Sequence, residues 1–326
     1  MKALDFIIYR APHAAAIASL SSLVLLTTLF WASGTFRPDV LPEFYTSLEQ
    51  LLGTVILLIL IPAFLLVILI SGQRRSMRYA QELFENGITD RGPDKWLRPM
   101  KARTPLIGAG LGLIYAMAVN MPFQWLTHFV QFDSQTRSIV IGQAVLWTLV
   151  GLTLSYRLHT AFSYNKLGRT VRLDLLDVRR VGPFAKNGVD DVLAIALLLA
   201  ISTLQSLDAQ FRFENYAAAM LIALPAAAFL FVLPMMSIHR RLVHSRDEYV
   251  KEMNRQIAAA SRELAFESIR KLELLMQHRD RIGDISTWPL DWTIYSRLAF
   301  YVILPPIAWL GAAFVEFGVD RILGSP

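Results

Sequence analysis

Asp174 with Asp177 and the adjacent Asp190 with Asp191 are the carboxylate pairs of this sequence, and His239 and His244 are its nearest approach to a histidine pair. Two carboxylates do acid and base chemistry, or hold a divalent cation, when they share one site closely enough to perturb each other's ionisation. Arg172, Arg179 and Arg180 flank the first pair and neutralise it. The second pair follows Asn187-Gly188 at the opening of an apolar run, where acidic groups favour a helix amino terminus. The two histidines are five apart, off the i,i+4 spacing of ligands on one helix, and no carboxylate motif accompanies them. No metal and no cofactor is therefore expected. The chain has no cysteine, which removes disulfides, thiolate nucleophiles and sulfur-ligated metals together. Gly108-x-Gly110-x-Gly112 lies inside an apolar segment, without the strand that a dinucleotide fold places before such glycines. No catalytic residue is assigned, and the reading leans away from an enzyme.

The elements that carry these residues are apolar to a degree that identifies their solvent. Hydrophobic residues make up 54% of the 326, above the usual share for a soluble domain of roughly 45–50%. Seven stretches approach the ~20 residues that cross a bilayer: Ala14–Ala32, Leu51–Ile70, Leu106–Phe129, Ile139–Tyr156, Val192–Leu207, Ala217–Ile238 and Leu298–Val315. Twenty-eight of the 32 Lys and Arg fall on alternate connections. The rule that positive loops stay inside then sets the amino terminus in the cytoplasm. The expected fold is all-α: a polytopic bundle of seven spans, or six if the last is re-entrant, plus a long cytoplasmic amphipathic helix. The Arg-over-Lys and Ala-rich usage is that of GC-rich bacteria, so the expected location is a bacterial inner membrane.

Within the third span Gly108, Gly112, Ala116, Asn120 and Gln124 recur every fourth residue and share one helical face. Small residues let a second helix approach, and the two amides hydrogen-bond across the contact. The same stripe also reads as a polar path with Asn120 at its floor. Gly142, Gln143, Thr148, Gly151 and Ser155 of the fourth span offer a mate. Pro305 and Pro306 break the seventh span and mark a kink or gate. No ionisable side chain is expected near mid-membrane, which argues against proton-coupled transport.

Residues 1–238 form the six-span bundle in this reading, with basic cytoplasmic loops at 72–104 and 157–190. Gln73–Glu85 reads as a helical continuation of the second span, and Val171–Val181 as a short amphipathic piece at the inner leaflet. Residues 239–293 form a cytoplasmic helical segment, and 294–326 the seventh span and an external tail. Ser245-Arg-Asp-Glu248 matches a capping box, so a fresh helix is expected from Ser245 to Gly283. A straight helix of that length, about 54 Å, is too long for the ten residues after it to return to the membrane. It must bend, lie flat or tilt. Its stripe of Val250, Met253, Ile257, Ala260 and Leu264 suits packing within the chain, a second copy, or a cytoplasmic protein partner. Arg74, Arg75, Arg78, Arg179, Arg180, Arg240 and Arg241 are candidate contacts for anionic lipid headgroups. Nucleic acid is not an expected partner.

In layout the chain is similar to insect-type chemoreceptor ion channels, which share seven spans, a cytoplasmic amino terminus and a long helical segment before the last span. That resemblance implies a channel but transfers no residues. The residues themselves favour a noncatalytic sensor, scaffold or assembly partner working through its basic inner face. A channel or facilitator beside Asn120 comes second. A membrane-embedded lipid enzyme using the four aspartates comes third.

Overall fold

The computed structural model describes residues 11, 13–37, 41, 42, 45, 47–90, 92–97, 103–120, 132–175, 177–202, 213–261, 266–288, 290, 292–301, 303 and 307. Among them the chain is helical, with no strand. The elements are α1 (Ala14–Ala32), α2 (Leu48–Glu85), the single turn α3 (Pro93–Trp96), α4 (Arg103–Tyr115), which runs into a π-helical turn at Ala116–Asn120, and α5 (Ser134–Gly168). A 3₁₀ turn (Val178–Val181) precedes α6 (Gly182–Ile201), α7 (Phe213–Ala260) and α8 (Phe266–Gly283). Among the described residues four helices are long and apolar enough to cross a membrane: α1, α2, α5 and α7 from Met220 onward.

Local chemistry explains most boundaries. Ser47 accepts from Gln50 N at 3.1 Å to start α2, and Asp133 accepts from Thr136 N at 3.3 Å to start α5, each satisfying an amide that has no partner inside the helix. At the end of α2, Gly87 takes φ +68°. Its amide donates to Phe84 O, and that of Ile88 to Leu83 O, both at 3.0 Å. Ile88 and Leu83 share one buried cluster, so this is a Schellman ending with its apolar clasp. Pro183 opens α6 in the first turn, where its missing N–H costs nothing.

Contacts fix the relative directions. α2 and α5 run parallel, with Leu58 against Gly142 at one level and Gly72 against Arg157 at another. α1 is antiparallel to both: Phe30 sits against Gly142, and Ala14 packs with Leu69, Ile70 and Tyr156. α4 is antiparallel to α5 (Gly112 at Trp147, Gly108 at Ser155), and α7 is parallel to it (Phe229 at Phe162, Ser237 at Gly168). α6 returns between α2 and α7, with Asn187 at Ser76 and Gly188 at Phe231. Taken in chain order, α1, α2, α4, α5, α6 and α7 alternate in direction. α2 is the central one: 72% of its apolar window is buried, against 17% for α1. Ile17, Leu20, Val24 and Leu25 of α1, and Leu106, Ile107, Leu111 and Ile114 of α4, are exposed. Such outward apolar belts suit a lipid solvent.

Two expectations change. No new helix begins at Ser245, because α7 continues unbroken through Ser245–Glu248 to Ala260. The residues after Pro234 contain no Gly or Pro, so the backbone never leaves the helix and the capping box has no orphan amide to serve. The helix that ends at Gly283 instead starts at Phe266 and packs back along α7, where Tyr249 and His278 meet with ring centroids 6.0 Å apart. Folding back as a hairpin removes the reach problem of a single straight helix.

The other concerns the fourth connection. α5 stays helical through Gly168, twelve residues beyond the expected end of its span. Val171–Val181 is a strap whose apolar side chains turn inward while Arg172, Asp174, Arg179 and Arg180 are exposed. Val171 and Val181 are buried in the core near Tyr164 and Phe184, and only the last four residues form a 3₁₀ turn.

Candidate functional site

Thr153, Arg157, Thr160 and Tyr164 follow one another at helical spacing along a single face of α5. That face meets Gly72, Gln73 and Ser76 of α2 and Asn187 and Asp191 of α6. Arg157 and Asp191 are 4% and 3% exposed and form an ion pair through Arg157 Nε and Asp191 Oδ1. A Cβ on Gly72 would stand 2.9 Å from Arg157 Nη1, so α2 needs glycine here to make room for the guanidinium. Arg157 Nη1 donates to Ser76 Oγ at 3.2 Å, and Ser76 Oγ donates to Asn187 Oδ1 at 2.6 Å. The Tyr164 hydroxyl donates to Ser76 O at 2.6 Å, and Thr160 Oγ lies 3.1 Å from Gln73 Oε1. Bringing both charges out of water costs several kcal/mol each in real proteins, roughly, and only mutual pairing with further hydrogen bonds offsets it.

A second tier lies toward the ends of the same helices. The Tyr79 hydroxyl donates to Asp190 Oδ2 at 3.0 Å, Arg75 stands 3.4 Å from the same oxygen, and Lys186 pairs with Glu82 at 3.0 Å. Exposure rises along the series, reaching 43% and 40% for Lys186 and Glu82. The ladder therefore runs from a sealed pair to the surface.

On the other side of the pair the bundle is hollow. A cavity of about 370 Å³ lies between α2, α5, α6 and α7, with Arg157 and Asp191 among its lining residues. Leu57, Leu65, Leu146, Ile195, Leu198 and Leu230 supply apolar wall, and Tyr45, Gln50, Thr54 and Ser202 line the far end. Three of its lining side chains carry a buried polar atom with no hydrogen-bond partner: Asp191 Oδ2, Thr153 Oγ1 and Trp147 Nε1. Buried polar atoms are nearly always paired, so each needs a partner that the described residues do not supply. A volume of this size falls in the range of small-molecule sites, ~300–1,000 Å³.

The candidates from the sequence distribute as follows. Gly108 and Gly112 form the seam with α5. A Cβ on Gly108 would meet Ser155 Oγ and Gly151 O, and one on Gly112 would meet Trp147 O, while Ala116 is fully buried. The side chain of Asn120 and all of Gln124 lie outside the described residues. Of the residues that line the cavity, none comes from α4. Gly142, offered as part of the mate, faces Phe30 and Leu58 instead.

Pro305, Pro306 and Leu264 also lie outside the described residues. Val250, Met253, Ile257 and Ala260 are the less exposed face of the end of α7, and α8 packs on this helix. Four of the seven headgroup arginines have protein partners. Arg74 donates to Ala11 O, Arg75 meets Asp190, Arg180 meets Asp177 at 2.7 Å, and Arg241 donates to Gly168 O and Val171 O at 3.1 and 2.6 Å. Arg241 thereby satisfies carbonyls at the end of α5, a structural duty. Arg78, Arg179 and Arg240 are exposed.

Asp190 and Asp191 do not share a site, since each faces its own arginine. Asp177 is held by Arg180. His239 stacks on Trp288, with ring centroids 4.2 Å apart. Among the described residues no three of His, Asp and Glu gather as a metal would require.

Arg157 and Asp191 lie one residue outside the expected fourth and fifth spans, and their pairing is what the sequence does not reveal. The legible signal was the polar face Thr153, Arg157, Thr160, Tyr164 continuing a helix past its apolar part. Comparison with known protein families, with curated proteins and with solved structures finds no match for this chain.

Proposed function

We propose that this chain is a noncatalytic multi-pass protein of a bacterial inner membrane, a sensor or assembly partner. It binds a ligand inside its helix bundle and transmits occupancy to the α7–α8 hairpin. The observation that carries this reading is the cavity, with its sealed ion pair and its three unsatisfied polar atoms. Its means of transmission is α7. Ile222, Ala223, Ala226 and Leu230 line the cavity, and the same helix runs on to Ala260, where α8 packs on it. A change at the cavity wall therefore has a continuous rod through which to move the hairpin.

The one-sided distribution of Lys and Arg supports a cytoplasmic amino terminus and a cytoplasmic hairpin. In this reading seven segments cross, the last over 298–315, and the exposed Arg78, Arg179 and Arg240 rest on anionic headgroups. The hairpin face turned away from α8 then serves a cytoplasmic partner or a second copy.

A facilitator is the second reading. The cavity and the ladder from Asp191 to Lys186 together extend from the Gln50 end of α2 to its Glu82 end, and the pair would be the plug between them. One substitution tests both. Ala226→Trp places an indole in the cavity. Under the sensor reading, the purified protein carries a small amphiphile, visible by native mass spectrometry, that the variant lacks. The α7–α8 amides then exchange at different rates in the two forms. Equal exchange and no bound molecule, together with solute flux through proteoliposomes that Ala226→Trp abolishes, would establish the facilitator instead.

A further inference from the structure

The proposed binding site can be taken one step further, to the chemistry of what fills it; this step rests on the sensor reading. The charges around the floor cancel. Arg157 answers Asp191, Arg75 answers Asp190, and Lys186 answers Glu82 on the helices that surround the cavity floor. A charged ligand head would therefore stand among mostly apolar walls with no countercharge left for it, and would lose part of its hydration without compensation.

A purely apolar ligand fails for the opposite reason, because it leaves Asp191 Oδ2, Thr153 Oγ1 and Trp147 Nε1 unpaired. Asp191 Oδ2 accepts only, so the atom that meets it must donate a proton without carrying charge: a hydroxyl. Thr153 lies one helical turn from Arg157 and can pair with the same head group. Trp147 donates only and stands about 15 Å along α5 from Arg157, where an ester or ether oxygen on a long ligand would accept. Between these points the wall is Leu57, Leu65, Leu146, Ile195, Leu198 and Leu230.

We infer that the cavity is a site for an uncharged, hydroxyl-headed amphiphile, a long-chain alcohol or its glyceride-like relative, with its hydroxyl on Asp191 Oδ2 and its chain along the apolar walls.

The test uses the full chain moved from detergent into amphipol, so that no sugar-headed detergent competes for the site. Dodecanol, dodecanoate and dodecylammonium share one tail and differ in head-group charge. Native mass spectrometry and thermal unfolding measure their binding. Dodecanol is expected to bind about tenfold or more tightly than either ion, the factor that 1.4 kcal/mol sets. Thr153→Val should weaken dodecanol several-fold without changing the fold. Asp191→Asn, which leaves the Arg157 charge unanswered, should shift the preference to dodecanoate.

Equal binding of all three probes, still abolished by Ala226→Trp, would overturn the choice of ligand class and keep the binding reading. Binding of none, with Ala226→Trp silent, would mean that the cavity holds only water and would sink both. If Asp191→Asn does not fold, Thr153→Val and the three-probe ranking still decide.

Discussion

The two faces of α5 solve the same problem in opposite ways. Toward α4 it presents Gly151 and Ser155 to Gly108 and Gly112, and the helices approach until backbone touches backbone, with no room for a methyl group. Toward α2 and α6 it presents Arg157, Thr160 and Tyr164, held by paired partners, together with the unpaired Thr153, and leaves a cavity of about 370 Å³ beside them. A membrane bundle lacks the hydrophobic drive that closes a soluble core, so contact must come from close packing or from polar links. The α4 face uses the first. The opposite face uses the second, and polar links at fixed points do not fill the space between them. Hollow space and buried charge occur together here for that reason.

The largest effect should come from splitting the pair. Asp191→Asn or Arg157→Gln alone is expected to cost about 3–5 kcal/mol, because the remaining charge is buried without an answer. The double variant should recover much of that loss. Unfolding in mixed micelles measures it, and single variants no worse than the double would show that the charges are solvated.

Next comes the closed face. Gly112→Leu and Gly151→Leu must push backbone away and should cost about 1–3 kcal/mol. Gly110→Leu on the same helix meets nothing within 4 Å and should be tolerated. A stable Gly112→Leu protein would mean that the seam is looser than drawn.

At the far end of the ladder, Glu82→Gln removes a half-exposed pair with Lys186. It should cost less than about 1 kcal/mol, and the loss should shrink further in high salt. The smallest effect belongs to Thr153→Val. In the ligand-free protein it removes a hydroxyl that has no partner and replaces it with a group of the same shape, so stability should stay within about 0.5 kcal/mol or improve. A loss well above that would show that Thr153 already has a partner in the empty protein, which would blur the contrast between the two faces.

Much of the closed face was legible in the sequence. Gly108, Gly112 and Ala116 at four-residue spacing announce a small-residue seam, and Gly151 with Ser155 names the partner surface, because both are local patterns on single helices. The hollow face was not. Arg157 and Asp191 each read as the first charge beyond an apolar run, and nothing in their separate neighbourhoods says that they meet. The polar path expected beside Asn120 was drawn from the one face that a single-helix pattern reveals. The described cavity wall lies across α5 from it. The capping box at Ser245 misled for a related reason: it scores four residues and ignores whether the helix before them has any cause to stop.

Sequence alone determined that the chain is helical and apolar enough for a membrane. It also set where the small-residue stripe runs and that the second span continues as helix to Glu85, since periodicity and composition are properties of neighbouring residues. Tertiary structure alone decided that α5 carries its helix past Arg157, that Gly72 opens the space for that guanidinium, that α8 folds back on α7, and that four helices line a cavity with charge at its floor. Those depend on residues far apart in the chain, such as Ser76 and Asn187, which are 111 positions apart. The energy of a buried charge is set by what surrounds it in space, not by its neighbours along the chain.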